Sequence, residues 1–175
     1  QILTGAGQSN VAATNTELVK FTEDAAKMGI AFDISAEQAG EWMAKWRTSF
    51  KMSQEEVITL ADQINYLGNT SAAGASEISA IVTKIGPLGE VAGLCSGEIA
   101  ALGASLVAVG VNEDVAATGI KKVMTTMTAG TAVTERQKAV LDSLGLSATE
   151  LAQRMQTDAQ GAILDFLKAV QRLPE

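Results

Sequence analysis

Ala92 to Val111 reads AGLCSGEIAALGASLVAVGV, and Glu98 is the one charged residue in it. The other side chains are small or aliphatic, with no aromatics. A helix of this composition is apolar almost all round and needs cover on most faces. Its Gly, Ala and Ser positions let neighbouring backbones approach closely. A spanning helix needs about 20 mostly apolar residues. Here the unbroken apolar run is only Ile99 to Val111, weakened as a spanning segment by Gly103 and Gly110 and without a flanking Lys/Arg cluster. A buried central helix is the favoured reading, with a conditional membrane segment as the alternative.

Around this stretch, helix starts recur. Ile34-Ser35-Ala36-Glu37-Gln38, Met52-Ser53-Gln54-Glu55-Glu56 and Leu146-Ser147-Ala148-Thr149-Glu150 each place an apolar residue before a cap, with Glu or Gln three positions after it. Thr134 with Gln137 is a weaker instance. The cap oxygen accepts from a free first-turn N–H, and the Glu or Gln reaches back to the cap N–H. Asn112-Glu113-Asp114 puts acids at the positive end of a helix dipole, and Asp158 is a further N-cap.

An apolar stripe at i, i+3, i+4, i+7 spacing follows each start. The stripes are Ala39, Trp42, Met43, Trp46 and Phe50; Val57, Leu60, Ala61, Ile64 and Leu67; Val115, Ala116, Gly119, Ile120, Val123 and Met127; and Ile163, Phe166, Leu167 and Val170. An earlier stripe, Leu18, Phe21, Ala25 and Met28, ends at Gly29. Loops are expected at Gly68–Gly74, at Gly86–Gly89 and around Thr128–Thr134.

The fold class is therefore all-α: a bundle of about eight or nine short amphipathic helices, with two related hairpins around an apolar central helix. The hairpins are Ile34–Gly68 and Leu94–Gly130, with caps 17 or 18 residues apart. Residues 1–13 are expected to be a flexible arm, 14–133 the helical core with both repeats, and 134–175 the C-terminal helices packed on it. The 175 residues start at Gln1 rather than Met, and a segment of a longer protein is expected.

The net charge of −7 and the absence of a basic patch argue against direct nucleic-acid binding by this segment. The sequence contains no histidine, which excludes Ser-His and Cys-His nucleophile pairs and the usual zinc sites. Cys95 is the lone cysteine and has no neighbouring base in sequence. No GxxxxGK loop is present, and Gly5-Ala6-Gly7 lacks the third glycine of a dinucleotide fingerprint. Glu55–Glu56 and Glu113–Asp114 are first-turn acids, which the helix dipole explains more simply than acid–base chemistry. No enzyme activity, cofactor or metal is expected. Trp42, Trp46 and Phe50 are the candidate protein-interaction residues, weighed against simple core packing.

The segments Ala92-Gly93-Leu94-Cys95-Ser96-Gly97-Glu98 and Gly110-Val111-Asn112-Glu113-Asp114 resemble the core region of phage tail tape measure proteins. So do Phe32-Asp33-Ile34-Ser35-Ala36-Glu37, Leu60-Ala61-Asp62-Gln63-Ile64-Asn65-Tyr66-Leu67-Gly68-Asn69 and Leu144-Gly145-Leu146-Ser147. Cys95 departs from the family's Ser at that cap. The resemblance implies a structural role: setting tail length during assembly, occupying the tube lumen, leaving ahead of the DNA, and associating with tail tube, tail tip and assembly chaperone proteins. It also implies residence in the virion tail and, during assembly, in the host cytoplasm. Self-association through apolar helix faces is expected. A membrane-active segment that aids DNA ejection and a helical host-side adaptor are the alternatives. A ruler should be one long helix at about 1.5 Å per residue; caps every 15 to 20 residues point here to a folded bundle, with the ruler elsewhere in the longer chain.

Overall fold

The computed structural model describes residues 15–172, and the expected arm at 1–13 lies outside them. Among the described residues there are nine α-helices and no strand: α1 Asn15–Phe32, α2 Ala36–Ser49, α3 Gln54–Thr70, α4 Ala75–Val91, α5 Ser96–Ala108, α6 Glu113–Thr128, α7 Glu135–Ser143, α8 Ala148–Thr157 and α9 Ala159–Gln171. A short 3₁₀ turn, Gly130–Ala132, precedes α7.

The caps form where the sequence places them. Ser53 Oγ accepts from the Glu56 N–H at 3.2 Å while Glu56 Oε2 accepts from the Ser53 N–H at 2.7 Å, closing a reciprocal capping box. Ser35, Asn112, Thr134, Ser147 and Asp158 each accept from a first-turn N–H of the helix that follows. At the start of α5 the Cys95 N–H donates to Glu98 Oε2 at 2.8 Å, so the Glu half of a box survives without serine.

The two hairpins turn alike. Lys51 and Gly110 both take left-handed φ, at 53° and 89°. The next N–H bonds five residues back in each case, Met52 to the Arg47 carbonyl and Val111 to the Leu106 carbonyl. The following residue, Ser53 or Asn112, then caps the second helix.

The helix at the centre is α4 rather than the Ala92–Val111 stretch. It packs against α2, α3, α5 and α6. Its Ile78, Ile81, Val82 and Ile85 are wholly removed from solvent. The expected loop at Gly86–Gly89 does not exist; α4 runs through it, Pro87 included. Both glycines serve packing. A Cβ at Gly86 would come within 2.9 Å of Ser49 Cβ, and one at Gly89 would press on the Ile99 methyl. The true stop is Gly93 at φ 76°, after which the Leu94 N–H bonds the Gly89 carbonyl.

Two other expected stops also move. Gly29 lies inside α1, which runs to Phe32 and ends at left-handed Asp33. A Cβ on Gly29 would sit 3.0 Å from the Ile34 carbonyl, so this glycine admits the start of α2. Gly68 likewise lies inside α3, against Ala75, and the loop shrinks to 71–74.

α5 packs against α4, α3 and α6. Gly103 brings it close, since a Cβ there would meet Ile81 Cγ2 at 3.1 Å. Ile99, Ala100, Ala104 and Val107 form its buried face. Ala101 and Ser105 are exposed, and Leu102 and Leu106 are half-buried.

Candidate functional site

Trp42, Trp46 and Phe50 lie on one face of α2 and its C-cap, as their spacing requires. Trp46 is completely buried, and its indole Nε1 donates to Thr83 Oγ1 of α4 at 2.8 Å. A buried tryptophan whose N–H is satisfied within the fold packs like any core residue. Trp42 and Phe50 are half-buried and pack against the core. The Phe50 ring rests on Gly86 and Gly89 of α4, which lack the side chains that would displace it. The face is therefore mainly the α2–α4 seam, with the outer edges of Trp42 and Phe50 reaching solvent.

A second feature escapes the sequence. On the far side of α5 an apolar groove of about 1150 Å³ opens between α3, α5, α6 and α9. Tyr66, Leu102, Leu106, Val123, Leu164 and Leu167 are among the side chains that line it. Tyr66 is 67% exposed, and Leu164 and Leu167 are 47% and 48% exposed. Among the described residues, Asp62 and Glu98 are the charged groups that line it, and both are acidic.

α9 forms one wall and is anchored to α8. Arg154 Nη2 donates to Asp165 Oδ2 at 2.9 Å across this elbow. That hydrogen bond holds the Asp165 carboxyl below the usual carboxylate range, with Lys168 adding to the effect. Ile163 of α9 is buried, while Leu164, Leu167 and Val170 are not. The apolar stripe expected on α9 is thus real but only partly covered. Its one sequence signal is an apolar stripe on α9 that reaches beyond the part covered in the fold.

No group of three or more metal-binding side chains gathers among the described residues. None of the helices is long and apolar enough to cross a membrane, among the described residues. What the geometry offers is an apolar concavity built from helix faces, whose backbone groups are already bonded within the helices. Such a surface recognises through side-chain packing.

A family model for phage-related minor tail proteins matches residues 1–175. The chain belongs to that family. A probable tape measure protein of Halomonas phage phiHAP-1 is 35% identical to it over 157 residues, which is 90% of this chain and 18% of the relative. The chain thus spans less than a fifth of that relative. No solved structure matches it significantly. This minor tail protein chain is a structural tail segment, in keeping with the tape measure resemblance of its cap motifs. The membrane-active and host-adaptor readings are not favoured beside it.

Proposed function

We propose that the chain is a folded, non-enzymatic segment of a tape measure protein, which sets tail length during assembly and occupies the tail tube of the virion after passing through the host cytoplasm. The match to the phiHAP-1 protein over nearly the whole chain carries this reading. The partners are tail tube, tail tip and assembly chaperone proteins, and copies of the chain itself. The solvent-reaching edges of Trp42 and Phe50, backed by Trp46, are one surface for them. Residues 14–133 act as the core unit and 134–175 as helices packed on it.

The nine short helices of the described residues cannot serve as a ruler, whose length should scale at about 1.5 Å per residue of continuous helix. The bundle is instead a docking or anchoring element within a longer measuring chain. Deleting residues 15–172 from the full-length protein in a phage tests this, with tails measured by electron microscopy and infectious particles counted. Infectivity should collapse, and any tails that assemble should keep their length. Tails shortened by about 1.5 Å for each residue removed would make the segment part of the ruler. Undiminished infectivity would remove it from tail function altogether.

A further inference from the structure

We propose that the groove between α3, α5, α6 and α9 docks a cationic amphipathic helix from a partner protein. Its size comes first. At about 1150 Å³ it exceeds the roughly 300–1,000 Å³ of small-molecule pockets. α5 lines it from Gly97 to Leu106, about 15 Å at 1.5 Å per residue, which matches a helix of about three turns.

Its chemistry comes second. The walls are helix faces with no strand edge to extend, so an incoming peptide gains little from backbone pairing. It gains by burying a stripe of its own against Leu102, Leu106, Val123, Leu164 and Leu167, the helix-in-groove mode. These side chains are half-buried or exposed at a site that holds no charge of its own except at two points.

Those two points select the occupant. Asp62 of α3 and Glu98 of α5 are both acidic, and Lys121 and Lys122 of α6 are not among the lining residues. The chain as a whole carries a net charge of −7. A helix with Lys or Arg beside its apolar stripe is attracted by this field and finds counter-charges on arrival; an acidic helix, or an anionic lipid surface, meets repulsion. A bilayer is also flat where the groove is concave. This occupancy does not depend on where in the tail the chain acts.

Cys95 provides the readout. It is the chain's single cysteine, it is exposed, and it lines the groove. Two synthetic peptides would serve as probes, each cysteine-free, helix-forming and with the same leucine stripe, one flanked by lysines and the other by glutamates. The lysine peptide should slow alkylation of Cys95 and bind roughly tenfold or more tightly than its glutamate twin at low salt, the gap narrowing as salt rises. Asp62→Lys, at an exposed position, should weaken the lysine peptide and strengthen the glutamate one. Leu164→Ser with Leu167→Ser should weaken both while leaving the circular dichroism melt unchanged. Equal affinity for the two peptides, or binding that leaves Cys95 unprotected, overturns the proposal. Protection that grows with chain concentration alone would assign the groove to a second copy. Protection by phosphatidylglycerol vesicles would assign it to lipid. Either result also overturns the basic-helix occupant.

Discussion

α4 and α5 lie side by side, and the chain treats them differently. α4 carries Glu77, Lys84 and Glu90, a proline and two glycines in its C-terminal half; α5 carries Glu98 as its single charge. Yet α4 is enclosed by α2, α3, α5 and α6, while α5 keeps Ala101, Leu102, Ser105 and Leu106 on a groove. Apolar content states how much cover a helix needs. It does not state which cover this chain supplies. The surplus on α5 is the part of the fold left for another molecule, and an exposed apolar concavity of this size on a tail component marks an interaction site.

The largest expected effect separates the two helices directly. Ile81→Asp places an unpaired charge where nothing solvates it and should cost on the order of 4 kcal/mol or more, enough to unfold the chain. Leu102→Asp, at a half-buried position on the groove, should cost about 1–2 kcal/mol and leave a cooperative melt. Denaturant midpoints of the two variants measure the contrast. Equal losses would mean that α5 is covered as fully as α4 and that the groove closes in solution.

The parts of this fold that sequence reading found are the parts decided locally. A cap needs a side-chain oxygen and a backbone N–H within three residues, so Ser35, Ser53, Asn112, Thr134, Ser147 and Asp158 could be read one at a time. The stripes were legible for the same reason, since helical spacing puts Val57, Leu60, Ala61 and Ile64 on one side whatever the partner. The central helix was hidden because Gly86, Pro87 and Gly89 spell a turn in local terms, while their reason for being small lies 37 residues upstream at Ser49 and 10 downstream at Ile99. Trp46 read as a possible anchor because its partner, Thr83, is equally distant in sequence. The groove was out of reach altogether: it exists only once four helices are placed together, and α9 hints at it merely through Leu164, Leu167 and Val170, which stay exposed.

A smaller effect compares two left-handed glycines, one on each side of α5. Gly93 at φ 76° would drive a Cβ into the Met155 carbonyl oxygen, so α8 closes against the α4–α5 turn only if no side chain is there. Gly110 at φ 89° has nothing within 4 Å of where a Cβ would stand. Alanine at Gly110 should therefore cost about 1–2 kcal/mol, the strain of the backbone alone. Alanine at Gly93 adds a steric clash and should cost about 3 kcal/mol or more. Thermal melts rank the pair. If they rank equally, α8 is free to move off the turn, and the C-terminal helices do not pack on the core as tightly as the geometry requires.

The smallest effect concerns the outer wall of the groove. Asp165 of α9 sits below the usual carboxylate range chiefly because Arg154 of α8 donates to it. A carboxylate with a lowered folded pKa contributes stability above its unfolded value, near 4, and loses it as pH falls through the folded value. Acid should therefore loosen α9 from α8 below about pH 4. The α4 residues Ile78, Ile81, Val82 and Ile85 have no titratable group to lose. Glu56, also lowered by its bonds to Ser53, should release the first turn of α3 in the same range. Arg154 and Asp165 are both well exposed, so water screens much of their attraction and the loss should be modest. Amide exchange in α9, corrected for its intrinsic pH dependence, should quicken between pH 5 and pH 3 relative to exchange at Ile81. Asp165→Asn should bring the faster exchange to neutral pH and abolish the acid response of α9 while sparing that of α3. If α9 and α4 loosen together across the titration, the wall and the centre are one cooperative unit, and the groove is as rigid as the core that it borders.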